Sequence, residues 1–255
     1  MTPDVVVDIG NSRMKWGVCS RGRVEKVLRI PLDECAAWEA ELARISPPQF
    51  SDRQWAVASV NPPALQRFLQ WTSSRGRVAV FENHTELPIV VNVDEPSTVG
   101  LDRLFGAVAA KTMVPPGTPA ITVDVGTAVT VNLIDAEGVF QGGAIFPGPR
   151  LMGRALHEFT AKLPLIDLTV PVDDLWGPGK NTAEAIRLGI DAAVGAGAAQ
   201  LVHLFADGGR GLPFVFITGG GGHLIPGSRF ALAADVRHVP ALILEGIRIA
   251  AEALP

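Results

Sequence analysis

One stretch, Val5-Val6-Val7-Asp8-Ile9-Gly10-Asn11-Ser12, returns in the second half of the chain as Ile121-Thr122-Val123-Asp124-Val125-Gly126-Thr127-Ala128. Each copy is a run of β-branched and apolar residues that leads into Asp-x-Gly, a pattern typical of a strand that ends in a tight turn. Self-similar segments at matching places indicate a repeated architecture. The repeat therefore predicts two related lobes.

The segments that follow each copy predict similar strands and helices in both lobes. Two further apolar segments complete a three-stranded meander, at 14–19 and 24–30 in the first half and at 129–134 and 139–146 in the second. Strands then alternate with helices, which indicates α/β lobes with flanking helices. The predicted helices are 33–45, 63–71, 100–113, 152–161, 182–205 and 242–253, and the further predicted strands are 54–60, 78–81 and 214–218.

The boundary between the lobes is predicted at Pro115-Pro116-Gly117, because these residues end a helical pattern just before the second copy begins. The lobes are then 1–116 and 117–255. In the second lobe, the run 192–199 includes Gly195 and Gly197, and its small side chains allow close backbone approach. The contact would be made either within the chain or with a second copy in a dimer.

Composition narrows the classes of partner. The chain of 255 residues is 47% hydrophobic and 19% charged with a formal charge of -4, so we expect a globular protein without the basic surface that nucleic acid requires. Asp4 and Asp8 lie where a signal peptide would need a basic and then an apolar segment. No uninterrupted apolar run approaches the roughly 18 residues of a membrane span. These features predict a cytoplasmic protein with no membrane partner.

The two Asp-x-Gly turns are candidate phosphate sites. A strand that ends in such a turn brings a carboxylate, which suits Mg²⁺, close to backbone N–H groups, which suit phosphate. A single turn of this kind is more often a hairpin corner, but two copies at matching places favour phosphate binding. Lys15 is predicted on the second strand near Asp8, where it could neutralise a transferring phosphoryl group.

Other catalytic motifs are weak or missing from the sequence. The segment 177–182 lacks the spacing of a P-loop, the histidines show no zinc signature, and no Gly-x-Ser-x-Gly motif is present. Cys19 and Cys35 fit neither a zinc site nor a redox pair. The glycine run 219–222 follows a predicted strand without the spacing of a dinucleotide fold, so it is either an adenosine contact or a flexible turn.

Asp102 and Arg103 open a predicted helix between the two turns. An aspartate in a first helical turn is favoured by the helix dipole, so capping is one interpretation. The alternative is that the carboxylate orients a hydroxyl group while the guanidinium holds an anionic substrate.

Seven blocks together resemble the type III pantothenate kinase family, of the acetate and sugar kinase, Hsp70 and actin superfamily, over nearly the whole chain. The implied fold is a pair of actin-like, ribonuclease H-like domains, each a mixed sheet with flanking helices. The blocks are Asp8-Ile9-Gly10-Asn11-Ser12-x-x-Lys15, Pro96-x-x-Val99-Gly100-x-Asp102-Arg103, Asp124-Val125-Gly126-Thr127-Ala128-x-Thr130, Gly142-Gly143-x-Ile145-x-Pro147-Gly148, Leu163-Pro164, Asn181-Thr182-x-x-Ala185-Ile186-x-x-Gly189 and Thr218-Gly219-Gly220.

The resemblance implies ATP-dependent phosphorylation of pantothenate to 4'-phosphopantothenate, the first step toward coenzyme A, by a homodimer whose dimer helix lies in the second lobe. Asp102 would be the general base, Asp8 would hold Mg²⁺ through the phosphates, and Asp124 would bind a monovalent cation, K⁺ or NH₄⁺. The implied substrate site consists of Val93, Gly100, Leu101, Asp102 and Arg103, with Thr182 reaching the substrate of the neighbouring protomer. The implied ATP and phosphate site consists of Asp8, Ile9, Gly10, Asn11, Ser12, Arg13, Met14, Lys15, Gly126, Thr127, Gly219 and Gly220.

One position departs from the family pattern. Family members often carry a tyrosine that contacts pantothenate where this chain has Val93, and this chain contains no tyrosine. Either Asn92 or Asp94 supplies a substitute contact, or recognition of pantothenate is relaxed. Two other functions remain as alternatives. One is an actin-like kinase for another small hydroxylated substrate. The other is an accessory regulator of transcription, because the same family was also described as a transcriptional accessory factor.

Overall fold

The structure is a computed structural model and describes residues 1–45, 53–168, 177–208 and 211–254. It divides into two compact units, the first formed by Met1–Pro115, Gly138–Gln141 and Ala241–Pro255, and the second by Pro116–Glu137 and Gly142–Pro240. The predicted division at 116/117 lies one residue after the division at 115/116, and the segments 138–141 and 241–255, predicted in the second lobe, belong to the first unit. Local sequence patterns do not reveal which unit a segment packs against.

The helices and strands follow the predicted order, with ends that differ from prediction by three residues at most. The strands are β1 (Val5–Ile9), β2 (Met14–Ser20), β3 (Arg23–Ile30), β4 (Gln54–Ser59), β5 (Arg77–Phe81), β6 (Val90–Val91), β7 (Ala120–Val125), β8 (Ala128–Ile134), β9 (Val139–Pro147), β10 (Phe214–Thr218) and β11 (Asp235–His238). The α-helices are α1 (Cys35–Ile45), α2 (Pro62–Thr72), α3 (Leu101–Thr112), α4 (Pro149–Glu158), α5 (Thr182–Asp207) and α6 (Leu242–Ala253).

The two sheets share one strand order. The first sheet runs β3-β2-β1-β4-β5, with β1 antiparallel to β2 and parallel to β4. The second sheet runs β9-β8-β7-β10-β11, with β7 antiparallel to β8 and parallel to β10, and the short strand β6 pairs with the start of β9. A meander followed by parallel strands, present twice, is the duplicated actin-like, ribonuclease H-like arrangement. The predicted fold class is confirmed.

An aromatic cluster packs against β1 in the core of the first unit. The centroids of its contacting rings lie 5.4–6.0 Å apart, mostly in edge-to-face orientations, which suit the charge distribution of aromatic rings. Every residue of β1 is buried, so this core holds in place the strand that carries Asp8. The rings belong to Trp16, Trp38, Trp55, Phe68 and Trp71.

Helices α3 and α6 pack closely together in the first unit. A Cβ atom at Gly246 of α6 would collide with the backbone carbonyl of Phe105 in α3, so the approach depends on glycine. Helix α6 is in turn tied to β3, because Glu245 Oε1 accepts the N–H of Val24 at 2.6 Å. The C-terminal helix therefore supports the helix that carries Asp102.

Helix α5 packs one side on the core of the second unit, with Val194, Ala198 and Val202 buried. Its glycines Gly195 and Gly197 lie against the side chains of Arg229 and Phe146, so these two positions of the run 192–199 pack within the chain. In the described part of the chain, α5 is the helix that is long and apolar enough to cross a membrane by length and composition alone. A helix that packs on the sheet of a soluble protein can have the same length and composition.

Candidate active site

Strand β1 carries Asp8 to the first turn, and Lys15 of β2 lies directly opposite in the antiparallel register. The ammonium Nζ of Lys15 is 3.4 Å from Asp8 Oδ2. The N–H of Gly10 donates to the carbonyl of Arg13 across the turn, with an N···O distance of 3.1 Å, and residues 11–13 are exposed at its tip. The structure thus places a cation and exposed turn residues beside the carboxylate.

Asp8 is a buried carboxylate, only 8% exposed, with charged neighbours of both signs. Burial raises its pKa above the ordinary value of 3.8, the Lys15 ammonium lowers the pKa, and the Asp102 carboxylate raises it. The net direction is upward because desolvation is the largest contribution. The charge of Asp102 therefore acts on Asp8.

Helix α3 begins at Leu101, with Gly100 as its N-cap and Asp102 in its first turn. The Oδ1 atom of Asp102 accepts the N–H of Arg103 at 2.9 Å, so the carboxylate does interact with the helix start as the capping interpretation proposed. A Cβ atom at Gly100 would lie 2.6 Å from this oxygen. Glycine at position 100 therefore leaves room for the oriented carboxylate.

The guanidinium of Arg103 lies over an aromatic ring in the same unit. Its Cζ atom is 5.5 Å from the centroid of the Phe140 ring, within the range of a cation–π contact. Burial lowers the pKa of Arg103 from its ordinary value, and the nearby Asp102 carboxylate opposes this change. An arginine remains charged in this setting and can bind an anionic group.

In the second unit, β7 carries Asp124 to the second turn. Thr130 of β8 and Thr218 of β10 occupy the neighbouring positions on either side of it. The N–H of Gly126 donates to the carbonyl of Ala128 at 3.0 Å. The second turn thus has hydroxyl side chains where the first turn has a lysine.

Glycines crowd the second turn. Gly219 has a φ of 87°, and a Cβ atom there would collide with Asp124 Oδ1. A Cβ atom at Gly148 would collide with the carbonyl of Gly126, and the N–H of Gly148 donates to the carbonyl of Thr127 at 2.9 Å. The Asp124 carboxylate and several backbone polar groups are therefore packed closely, as only glycine permits.

The sequence matches the model of the type III pantothenate kinase family over residues 5–203. The chain belongs to this family. Relatives named type III pantothenate kinase include one from Halorhodospira halophila, 34% identical with 95% of each chain covered, and one from Thiobacillus denitrificans, 34% identical with 98% of this chain and 96% of the relative covered.

A solved structure from Campylobacter jejuni, described as that of a Baf family transcriptional activator, matches with a TM-score of 0.58. It is 18% identical and covers 97% of each chain, so it supports the shared fold and carries no information on activity.

The remaining residues assigned through type III pantothenate kinase motifs differ in exposure. The side chains of Ile9 and Met14 are fully buried, so they could meet a nucleotide only through their backbone. Val93 and Leu101 are half-buried. Thr182 is exposed at the first position of α5.

The residues around Val93 bear on the missing tyrosine. The Asn92 side chain donates to Gln141 Oε1 at 2.9 Å, and the Asn92 backbone N–H donates to the carbonyl of Phe140 at 2.9 Å. Asn92 therefore fastens two strands together, which makes it a poor candidate for the substitute contact. Asp94 is exposed.

Within the described residues, no group of three or more His, Cys, Asp or Glu side chains could by itself hold a metal ion. A divalent cation at Asp8 would need further oxygen ligands from a nucleotide and water. Mg²⁺ is commonly held in this way, by one or two carboxylates together with phosphates.

Sequence reasoning missed Phe140. Its ring contacts Arg103, which lies far earlier in the chain, so no local pattern could reveal the contact. The nearest signal in the sequence is its place just before the Gly142-Gly143 block of the family.

Proposed function

We propose that this chain transfers the γ-phosphoryl group of ATP to the primary hydroxyl of pantothenate and forms 4'-phosphopantothenate, the first step of coenzyme A biosynthesis. The observation that carries the proposal is the buried Asp8 carboxylate at the first turn, with Lys15 Nζ 3.4 Å from its Oδ2, in the same unit as the oriented carboxylate of Asp102. Family membership supports pantothenate as the acceptor, because relatives matched over nearly their full length are named for this activity.

Phosphoryl transfer depends mainly on positioning and on charge stabilisation, because its transition state is loose. Asp102 aligns the acceptor hydroxyl and takes its proton, while the N–H of Arg103 holds one oxygen of the carboxylate. Arg103 binds the acid group of pantothenate. Gly100 and Leu101 line the same site, and Val93 provides an apolar contact in place of the family tyrosine.

The first turn binds the phosphates of ATP. Asn11, Ser12 and Arg13 present exposed polar groups, Lys15 balances phosphoryl charge, and Gly10 lets the backbone approach closely. When bound, Mg²⁺ would neutralise charge that develops on the phosphates, and Asp8 is its proposed protein ligand. The further proposed ATP contacts are the backbone of Ile9 and Met14 together with Gly126, Thr127, Gly219 and Gly220.

Asp124 is the proposed ligand of a monovalent cation, K⁺ or NH₄⁺. A Cβ atom at Gly219 would collide with Asp124 Oδ1 and lie close to the carbonyl oxygen of Val125, so glycine at this position lets backbone oxygen lie near the carboxylate. A carboxylate with neighbouring carbonyl and hydroxyl oxygens is a donor set that suits a hard cation.

The enzyme is further proposed to be a cytoplasmic homodimer that uses the exposed side of α5, where Ala192, Ala193 and Ala196 allow close packing. Thr182 at the start of this helix would contact the substrate bound to the partner. Light scattering should then give twice the chain mass of 26.9 kDa, and a monomer mass would contradict the dimer.

The proposed function predicts ADP release that depends on pantothenate and is stimulated by K⁺ or NH₄⁺. A coupled assay at saturating Mg·ATP should compare pantothenate with a panel of sugars, with and without each cation. Turnover with a sugar but not with pantothenate would favour another actin-like kinase. If no acceptor supports turnover, binding to DNA at low salt would test the alternative of a transcriptional regulator.

A further inference from the structure

Arg103 is held at both ends. Its backbone N–H donates to the carbonyl of Gly100 at 3.1 Å and to Asp102 Oδ1 at 2.9 Å, so the start of its side chain is fixed relative to the proposed general base. At the other end, the guanidinium lies over the Phe140 ring with Cζ 5.5 Å from the centroid. A ring from another strand is thus one of the contacts that set the direction of the charged group.

The Phe140 ring is itself immobilised. It is fully buried, and the parallel register of β6 and β9 places Val91 opposite Phe140. Hydrogen bonds from Asn92 fasten this pairing, one from its backbone to the Phe140 carbonyl and one from its side chain to Gln141. Residues 93–99, which include a 3-10 turn at Pro96–Thr98, connect Asn92 to Gly100, so the ring and the start of α3 are joined by one local segment.

An arginine side chain has several rotatable bonds, and fixing it costs conformational entropy unless its surroundings restrict it beforehand. A ring face attracts the guanidinium electrostatically, and the planar group can still present N–H groups at its edge to an acceptor. Preorganisation of this kind improves binding of a planar carboxylate, which arginine contacts through two parallel hydrogen bonds.

We propose that Phe140 is a positioning residue that directs the Arg103 guanidinium toward the acid group of the substrate. The inference rests on the proposed function, in which Arg103 binds that group. Phe140 then affects the KM for pantothenate, because it acts through Arg103 and touches neither the acceptor hydroxyl nor the nucleotide.

The test compares Phe140→Leu with a matched control, Phe81→Leu. Phe81 is also buried, and its ring packs edge to face on Phe105 of helix α3, which carries Arg103, at a centroid distance of 5.3 Å. Phe81→Leu therefore reports the effect on KM of removing an aromatic ring near α3. We expect Phe140→Leu to raise the KM for pantothenate about fivefold, as loss of a partly desolvated cation–π contact predicts. The kcat and the KM for ATP should change less than about twofold.

Phe140→Met provides a second variant, since methionine fills an irregular core site without a ring face. It should show the same rise in the KM for pantothenate if Phe140→Leu does not fold. In an Arg103→Ala background, loss of the ring should cause no further rise, because no cation remains for the ring to position. Equal KM values in the Phe140 variants and in Phe81→Leu would overturn the proposal.

A second readout separates this proposal from the proposed function. Phenylglyoxal should modify Arg103 faster in Phe140→Leu than in the wild type or Phe81→Leu, as measured by mass spectrometry of the peptide that contains Arg103. An unchanged rate of modification would overturn the positioning role even if the enzyme phosphorylates pantothenate. Absence of pantothenate turnover in the wild type together with faster modification would overturn the function and leave the Phe140 contact with Arg103 supported.

Discussion

At the scale of single residues, Asp8 carries a charge that folding disfavours and that nucleotide binding would require. The carboxylate is buried, and the attraction of Lys15 does not offset the loss of water and the repulsion of Asp102, since the net pKa direction is upward. Functional sites often retain groups that are unfavourable for stability. Mg²⁺ bound with the nucleotide, rather than the folded chain, would supply the positive charge that compensates the Asp8 carboxylate.

Replacement of Asp8 by asparagine keeps the shape of the side chain and removes its charge. Because burial raises the pKa in the folded state above 3.8, the folded wild type binds the proton more tightly than the unfolded chain does, so stability falls as pH rises above 3.8. Metal-free Asp8→Asn should therefore be at least as stable as the wild type near neutral pH, with its advantage growing as pH rises. It should lose nearly all activity.

Urea unfolding of the metal-free proteins between about pH 4 and about pH 7 measures this difference. The exposed Asp33 offers a control, because Asp33→Asn should follow the wild type across the same range. If Asp8→Asn is less stable than the wild type at every pH in this range, the ion pair with Lys15 outweighs the cost of burying the Asp8 carboxylate. That result would contradict the prediction.

At the scale of elements, the sequence predicted both meanders and the alternating helices, because β-branched runs, prolines and glycines mark them locally. It did not predict β6 or β11, which are two and four residues long and too short for a periodic pattern. The start of α4 at Pro149 was placed three residues late, since the helix begins at a proline that only its N-terminal position allows.

In the candidate site too, the sequence indicated pairings between neighbouring segments but not contacts between distant ones. Pairing of Asp8 with Lys15 follows from a hairpin register, which sequence spacing indicates. The contact of Arg103 with Phe140 and the close packing of Gly246 on Phe105 join distant parts of the chain, so they depend on tertiary structure alone.

The packing of α3 on α6 leads to a prediction for Gly246→Ala. The added methyl group would collide with the Phe105 carbonyl and force the two helices apart, at a cost of about 1–3 kcal/mol in the free energy of unfolding. Because α3 carries Asp102, kcat should fall together with the unfolding midpoint.

Gly208→Ala is the matched control, since a Cβ atom there meets nothing within 4 Å, and its unfolding free energy should change by less than about 0.5 kcal/mol. Similar stability of both variants would show that α6 does not support α3 as described.

At the scale of the whole chain, one structural unit occurs twice and its two turns carry different side chains. The two sheets repeat the same strand order, and each begins with a strand that carries an aspartate into a glycine turn. The first turn places Lys15 opposite its aspartate, and the second places Thr130 there. A lysine suits a transferring phosphoryl group, whereas a hydroxyl suits a bound cation, so the duplication accounts for the two proposed roles.

We propose that a phosphoryl group passes from ATP to the hydroxyl of pantothenate with Asp102 as the aligning base. The most direct measurement is mass spectrometry of the products that wild type and Asp102→Asn form from Mg·ATP and pantothenate, with their unfolding midpoints compared in parallel. We expect phosphorylated pantothenate and equimolar ADP from the wild type, and formation at least about a hundredfold slower by an equally folded Asp102→Asn. Wild-type protein that makes no phosphopantothenate at saturating ATP, or a variant as fast as the wild type, would contradict it.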